Sequence, residues 1–194
     1  MSSLLSSTLN TRAILPGSLR FVRSDVPYRI TEPETDWLIT KGITTVVDLR
    51  EVCEQKQKPC PLAQDARFRY HSMPVTGGNA VPSSVDDVSK AYIRMADEQM
   101  CRIVDLIWSA DTNVLYFCSA GKDRTGVVSA ILLHRSGMDT PAIIDDYMKS
   151  KDNLAGMLEA YAKQSPDVDI RVITPHEEYM QAFMDWYTAQ GENA

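Results

Sequence analysis

The chain has 194 residues, 44% hydrophobic and 24% charged, which excludes a disordered chain and suits one folded domain with a sizeable core. Its formal net charge of −6 excludes the broad basic face of a general nucleic-acid binder, though not a local basic pocket. The four cysteines (Cys53, Cys60, Cys101, Cys118) form neither a disulfide framework nor a CxxC pair, and the three histidines offer no zinc constellation, so no metal or cofactor is expected.

Residues 11–23 mix short apolar runs with the turn signal Pro16-Gly17 and are expected to form a small hairpin or edge strands. A first helix is predicted from Thr31. Thr31 and Glu34 have capping-box spacing, Pro33 suits a first turn, and Gly42 is a natural stop. The β-branched run 43–50 reads as a buried strand with Asp48 and Arg50 at its C-terminal end. Residues 51–64, broken by Pro59 and Pro61, are expected to be a polar loop, and 68–73 a shorter strand. After a Gly- and Pro-bearing loop at 76–84, helical sequence runs from about 85 to 109 with a break near Asp97.

Residues 114–117 make a compact strand, and 127–135 an apolar helix ended by Gly137. Thr140 is expected to cap the next helix, with Pro141 at its first position. A further helical segment covers about 153–163, and Thr174 with Glu177 has the spacing of a second capping box opening the last helix. This alternation predicts an α/β fold. One domain spans 1–194, with its core at about 10–190, a mostly parallel central sheet flanked by helices, and ligands beyond the C-terminal strand edges.

The segment Cys118-Ser119-Ala120-Gly121-Lys122-Asp123-Arg124-Thr125-Gly126 lies between a strand and a helix. A loop of five residues between Cys118 and Arg124 can wrap once around a tetrahedral oxyanion with its N–H groups inward, while the following helix aims its positive end at the same point. Gly121 and Gly126 allow tight backbone geometry, and Arg124 can close the cradle with a bidentate guanidinium. Helix N-termini and cations favour a thiolate, so Cys118 is the expected nucleophile. The positions expected to bind the phosphate are Ser119, Ala120, Gly121, Lys122, Thr125 and Gly126. Asp123 is the expected general acid, then base, with orienting Arg124 or capping the helix as its alternative role. Thr125 is expected to donate to the thiolate. Lys122 is either a second charge at the pocket mouth or a solvated surface group. A Walker loop is excluded, because Gly121-Lys122 is followed by Asp123 and Tyr116 stands where the first Gly is needed.

The run CSAGKDRTG resembles the signature of protein-tyrosine phosphatases, and its AGKDRTG ending resembles a bacterial branch that includes secreted enzymes acting on phosphotyrosine and, in some members, on phosphoserine/threonine and phosphoinositides. Arg23-Ser24, the helix closing at Gly42 and the run 44–50 match the order of elements in that branch, so the likeness covers roughly residues 10–187. It implies Cys118 as nucleophile, Arg124 as clamp and Asp123 as acid, and Lys122 stands where phosphoinositide phosphatases contact ring phosphates. Two features depart from the pattern. Phe117 stands where a loop-buttressing His is usual, and no Trp-Pro-Asp acid loop is evident, leaving Asp86, Asp87 and Asp97 as weaker acid candidates.

The expected activity is cysteine-dependent hydrolysis of phosphotyrosine on a phosphorylated protein, with dual specificity left open. The alternatives are a phosphoinositide phosphatase, a non-catalytic phosphate-binding module and a rhodanese-like sulfurtransferase. Asp48 and Arg50 are expected to pair in support of the loop. Cys53 is expected to be an ordinary loop cysteine, with trapping of oxidised Cys118 as the alternative. A lid is sought at 76–99. The start lacks a basic n-region and no apolar run approaches ~18 residues, so a cytoplasmic monomer without a membrane span is expected, with export by a route lacking a cleaved signal left open.

Overall fold

A computed structural model describes residues 3–78 and 80–191. Five strands, β1 (Arg12–Ala13), β2 (Phe21–Ser24), β3 (Ile43–Asp48), β4 (Arg69–Ser72) and β5 (Asn113–Phe117), form one sheet in the order β1-β2-β5-β3-β4. Among the described residues only the β1–β2 edge pair is antiparallel; β2, β5, β3 and β4 run parallel, as the crossover connections require. Alternate residues of the central strands face opposite ways. Val22, Val46, Leu115 and Phe117 enter one core, while Phe21, Val47, Val114 and Tyr116 enter another.

The first core is closed by α1 (Glu32–Thr40), by the N-terminal Leu5 and by a 3-10 turn at Pro61–Gln64. The capping box of α1 forms as expected: Thr31 N–H and its hydroxyl both donate to Glu34, at 2.9 Å each. Gly42 follows at φ +67°, the left-handed turn a Cβ would resist. The other face carries α3 (Asp86–Met95), α4 (Glu98–Ser109), α5 (Asp123–Arg135), α6 (Thr140–Asn153) and α9 (Glu177–Gly191). The break between α3 and α4 falls where expected, with Asp97 capping α4 through the Met100 N–H at 2.9 Å.

Four local expectations are corrected. The stretch 51–64 is not a plain loop but holds α2 (Val52–Gln57), a helix with no buried residue and therefore no apolar stripe to announce it. Its entry is tied instead by a Glu51–Glu54 capping box. Helix α6 is capped by Asp139, whose carboxylate accepts from Ala142 N–H at 3.0 Å, so Thr140 is already inside it. Thr174 closes the short helix α8 (Ile170–Ile173), its hydroxyl donating to the Ile170 carbonyl at 2.8 Å, and α9 opens only at Glu177, three residues on, so Thr174 is not its cap. Between α6 and α8 lies α7 (Ala155–Gln164), close to its expected place. Helix α5 begins four residues ahead of the expected 127, because the residues after Gly121 already turn helically.

Candidate active site

β5 lies between β2 and β3, and Ser24, Phe117 and Asp48 stand abreast at the C-terminal edge of these strands. Cys118 is the next residue, so the sheet delivers a buried thiol to the central cleft where parallel sheets bind ligands. Gly121 turns the loop back at φ +65°. A Cβ there would lie 2.3 Å from the Ser24 carbonyl oxygen, so the loop packs directly on the end of β2 and only glycine fits. The loop's carbonyls are gripped from outside. Asn10 Nδ2 donates to Gly121 O at 2.8 Å and to Ala120 O at 3.4 Å. Arg23 Nη2 donates to Gly121 O at 2.8 Å and Lys122 O at 3.3 Å, and Val26 N to Ser119 O at 3.3 Å. Arg23 is fully buried, its charge met by Asp146 of α6 at 2.6 Å, and Arg12 reaches the same carboxylate at 2.9 Å.

Arg124, on the first turn of α5, closes the loop. Its guanidinium is forked onto Glu54 of α2, Nη1–Oε2 at 2.5 Å and Nη2–Oε1 at 2.8 Å, and Ser119 Oγ donates to Glu54 Oε1 at 2.5 Å. Burial alone would raise the Glu54 carboxyl, but hydrogen bonds from Arg124 and then Ser119 hold it at about 2, below its ordinary 4.5. The same fork outweighs the burial that disfavours the Arg124 charge and raises the guanidinium's pKa. The Arg124 stem lies against Gly78, where an added Cβ would come within 2.4 Å of Arg124 Cγ. One bidentate face of the guanidinium is thus engaged, and Nη2 also lies 3.5 Å from Ser119 Oγ in the loop.

Asp123 opens α5 half-exposed in a cavity of about 440 Å³ that also reaches Cys118, Ser119 and Arg124. Its Oδ1 accepts from the buried Tyr92 hydroxyl at 2.5 Å, and Tyr92 meets the Tyr147 hydroxyl at 2.8 Å. Burial first, and then the Asp123 charge, push both phenols well up, so they stay neutral donors. The weaker acid candidates are engaged elsewhere or lie outside the cavity lining. Asp87 accepts from Ser83 and Ser84, Asp97 is the α4 cap, and Asp86 does not line the cavity.

Lys122 is not a solvated surface charge. It is buried, donates its ammonium to the Ile173 carbonyl, and lies 3.3 Å from Asp123. The expected Thr125 bond to the Cys118 sulfur is not formed, and the buried Thr125 Oγ1 has no partner among the described residues. Gly126 brings α5 against α6, its Cα face meeting the Tyr147 ring.

Asp48 and Arg50 pair at 2.6 Å, both buried, away from the cavity lining. Arg50 donates to the Lys58 carbonyl at 2.8 Å, and its guanidinium lies 5.4 Å over the Phe117 ring. The pair therefore holds the segment carrying Glu54 beneath the loop, and Phe117 serves as its platform. Cys53 is exposed and does not line the cavity, whereas Cys60 is buried with its thiol pushed up to about 12 by desolvation.

Sequence reasoning missed Glu54, Tyr92, Asn10 and Asp146. A charged Arg23 inside a short buried strand was the available signal for a hidden acid.

The sequence profile of the tyrosine phosphatase family matches residues 8–192. A tyrosine-protein phosphatase of Nostoc commune is 32% identical over 146 residues, covering 70% of this chain and 50% of that protein. The triple specificity protein phosphatase PtpB of Mycobacterium tuberculosis is 42% identical over 59 residues, 30% of this chain and 21% of that one. The chain thus spans half the length, or less, of these two relatives. Among solved structures, P. aeruginosa TpbA is similar at a TM-score of 0.42 with 16% identity, covering 92% of this chain and 98% of that one. On a match that runs through nearly its whole length, the chain belongs to the tyrosine phosphatase family.

Proposed function

We propose that this protein is a cysteine-dependent phosphatase that hydrolyses phosphotyrosine through a cysteinyl-phosphate intermediate. The observation carrying the reading is a buried thiol, Cys118, at the floor of a cavity whose loop carbonyls are drawn outward and whose rim holds Arg124. The Cys118 thiolate attacks phosphorus in line, the P–O ester bond breaks, and Asp123 gives the leaving phenolate a proton. Water then attacks phosphorus, the S–P bond breaks, and Asp123 takes the water's proton. The loop N–H groups and Arg124 stabilise the equatorial oxygens in both steps.

Val81, Pro82, Met157 and Tyr161 give the cavity apolar walls that suit an aryl group. The phosphoinositide alternative is less well supported, since the Lys122 ammonium that motivated it is bound to the Ile173 carbonyl and faces Asp123. The test is metal-free hydrolysis of p-nitrophenyl phosphate and of a phosphotyrosine peptide by wild type and Cys118→Ser. Turnover by wild type, abolished in Cys118→Ser with phosphate binding kept, is expected. Full activity in Cys118→Ser refutes the mechanism.

A further inference from the structure

The loop must keep its N–H groups turned to the oxyanion, yet Phe117, just before the nucleophile, offers it no polar atom. The donors that shape it come from the opposite side. In a trans peptide the C=O and N–H point in opposite directions, so a carbonyl pinned outward turns the next residue's N–H inward. The carbonyls of Ser119, Ala120, Gly121 and Lys122 are all held this way, by Val26 N–H, Asn10 and Arg23. The N–H groups so aimed belong to Ala120, Gly121, Lys122 and Asp123. Among the described residues, none accepts from the backbone N–H of Ser119, Ala120, Gly121 or Lys122.

We propose that Asn10 and Arg23 are positioning residues that set the loop's ring of donors by gripping its carbonyls from behind. The inference rests on the phosphatase reading above. Arg23 does this because its planar fork spans two partners. Nη1 meets Asp146 at 2.6 Å while Nη2 reaches the Gly121 carbonyl at 2.8 Å. A lysine keeps the charge for Asp146 but has no second arm of fixed direction. Asn10 is fixed in turn by Asn153, which donates to its Oδ1 at 3.1 Å, by an Arg12 contact to the same oxygen, and by its own bond to Ser150 at 3.2 Å. Neither residue lines the cavity, so neither touches substrate.

The test compares wild type, Arg23→Lys and Asn10→Ala in turnover of p-nitrophenyl phosphate and in calorimetric affinity for vanadate and for inorganic phosphate. Loss of one oxyanion donor costs ~10²–10³ in rate, so a slackened set should lower kcat/KM by about 10–100-fold for Arg23→Lys and about tenfold for Asn10→Ala. Vanadate, which resembles the transition state, should weaken by the same factors. Phosphate, a ground-state ligand, should weaken less than about threefold. Folded variants within twofold of wild type in kcat/KM and vanadate affinity overturn the proposal, and so do equal losses for vanadate and phosphate, which mark general damage. If Arg23→Lys does not fold, Asn10→Ala decides alone, because it leaves the Arg23–Asp146 pair in place. A wild type without turnover defeats the phosphatase reading, and the two affinities then still judge the buttress.

Discussion

Replacing Gly121 by alanine tests whether the loop's exact path matters to the chemistry. Two costs are built into the position. Its φ of +65° is strained for any residue with a Cβ, by roughly 1–2 kcal/mol. The Cβ would also meet rigid backbone, 2.3 Å from Ser24 O and 2.5 Å from Asp25 N, distances that no real Cβ contact shows. Strand β2 is fixed in the sheet, so the loop must be the part that moves. A shift of about 1 Å in reacting groups costs on the order of 10²-fold in rate. Gly121→Ala should therefore lower kcat/KM for p-nitrophenyl phosphate by at least ~10²-fold, with a stability loss of about 2 kcal/mol or more in denaturant titration. Gly137→Ala supplies the internal control. Its φ is +80° but nothing lies within 4 Å of the added Cβ, so it should lose about 1–2 kcal/mol of stability and keep full activity. If Gly121→Ala retains a third of wild-type kcat/KM, or if Gly137→Ala loses as much activity, the close packing of loop on strand is not what positions the donors.

Two further outcomes follow from the surroundings of the loop. Glu54 ionises at about 2 when folded against 4.5 ordinarily, so its contribution to stability is complete above pH 4.5 and fades as pH falls towards 2. Urea titrations across that window should show a shallower acid slope for Glu54→Gln than for wild type; parallel slopes would deny the pairing with Arg124. Tyr92→Phe removes the hydroxyl on Asp123 and leaves the Tyr147 hydroxyl without that partner, for about 1–2 kcal/mol. If Asp123 is the proton donor as proposed, Tyr92→Phe should slow a phosphotyrosine peptide several-fold more than p-nitrophenyl phosphate, whose leaving group needs little help. Equal slowing of both substrates would remove Tyr92 from the positioning of Asp123.

The elements that could be read from the sequence are those whose cause is local. The run 43–47 is β-branched and lies in a strand buried on both faces, and the Thr31–Glu34 box closes within one helical turn. The order Cys118 to Arg124 encodes its own curvature through Gly121. Helix α2 escaped notice because none of its residues is buried, so periodicity had nothing to register. The grip of Asn10 on Gly121 crosses 111 positions of sequence, and no local pattern says which distant amide will meet which carbonyl. Lys122 read equally well as a surface charge, since its burial depends on α8 folding over it. The same gap hid Asp146, whose place in α6 looks like any other acid on a helix until Arg23 and Arg12 arrive.

A parallel sheet in the order β2-β5-β3-β4 has consequences for when this protein first becomes competent. Its parallel pairs are all joined by crossover connections rather than tight hairpins, and β5 must slot between two strands made much earlier. Long-range closures of this kind are slow. During synthesis the segment around Asn10 leaves the ribosome more than a hundred residues ahead of the loop it will hold, and Asp146 later still. Anion recognition at the loop should thus appear only at the last stage of maturation, after bulk secondary structure has formed.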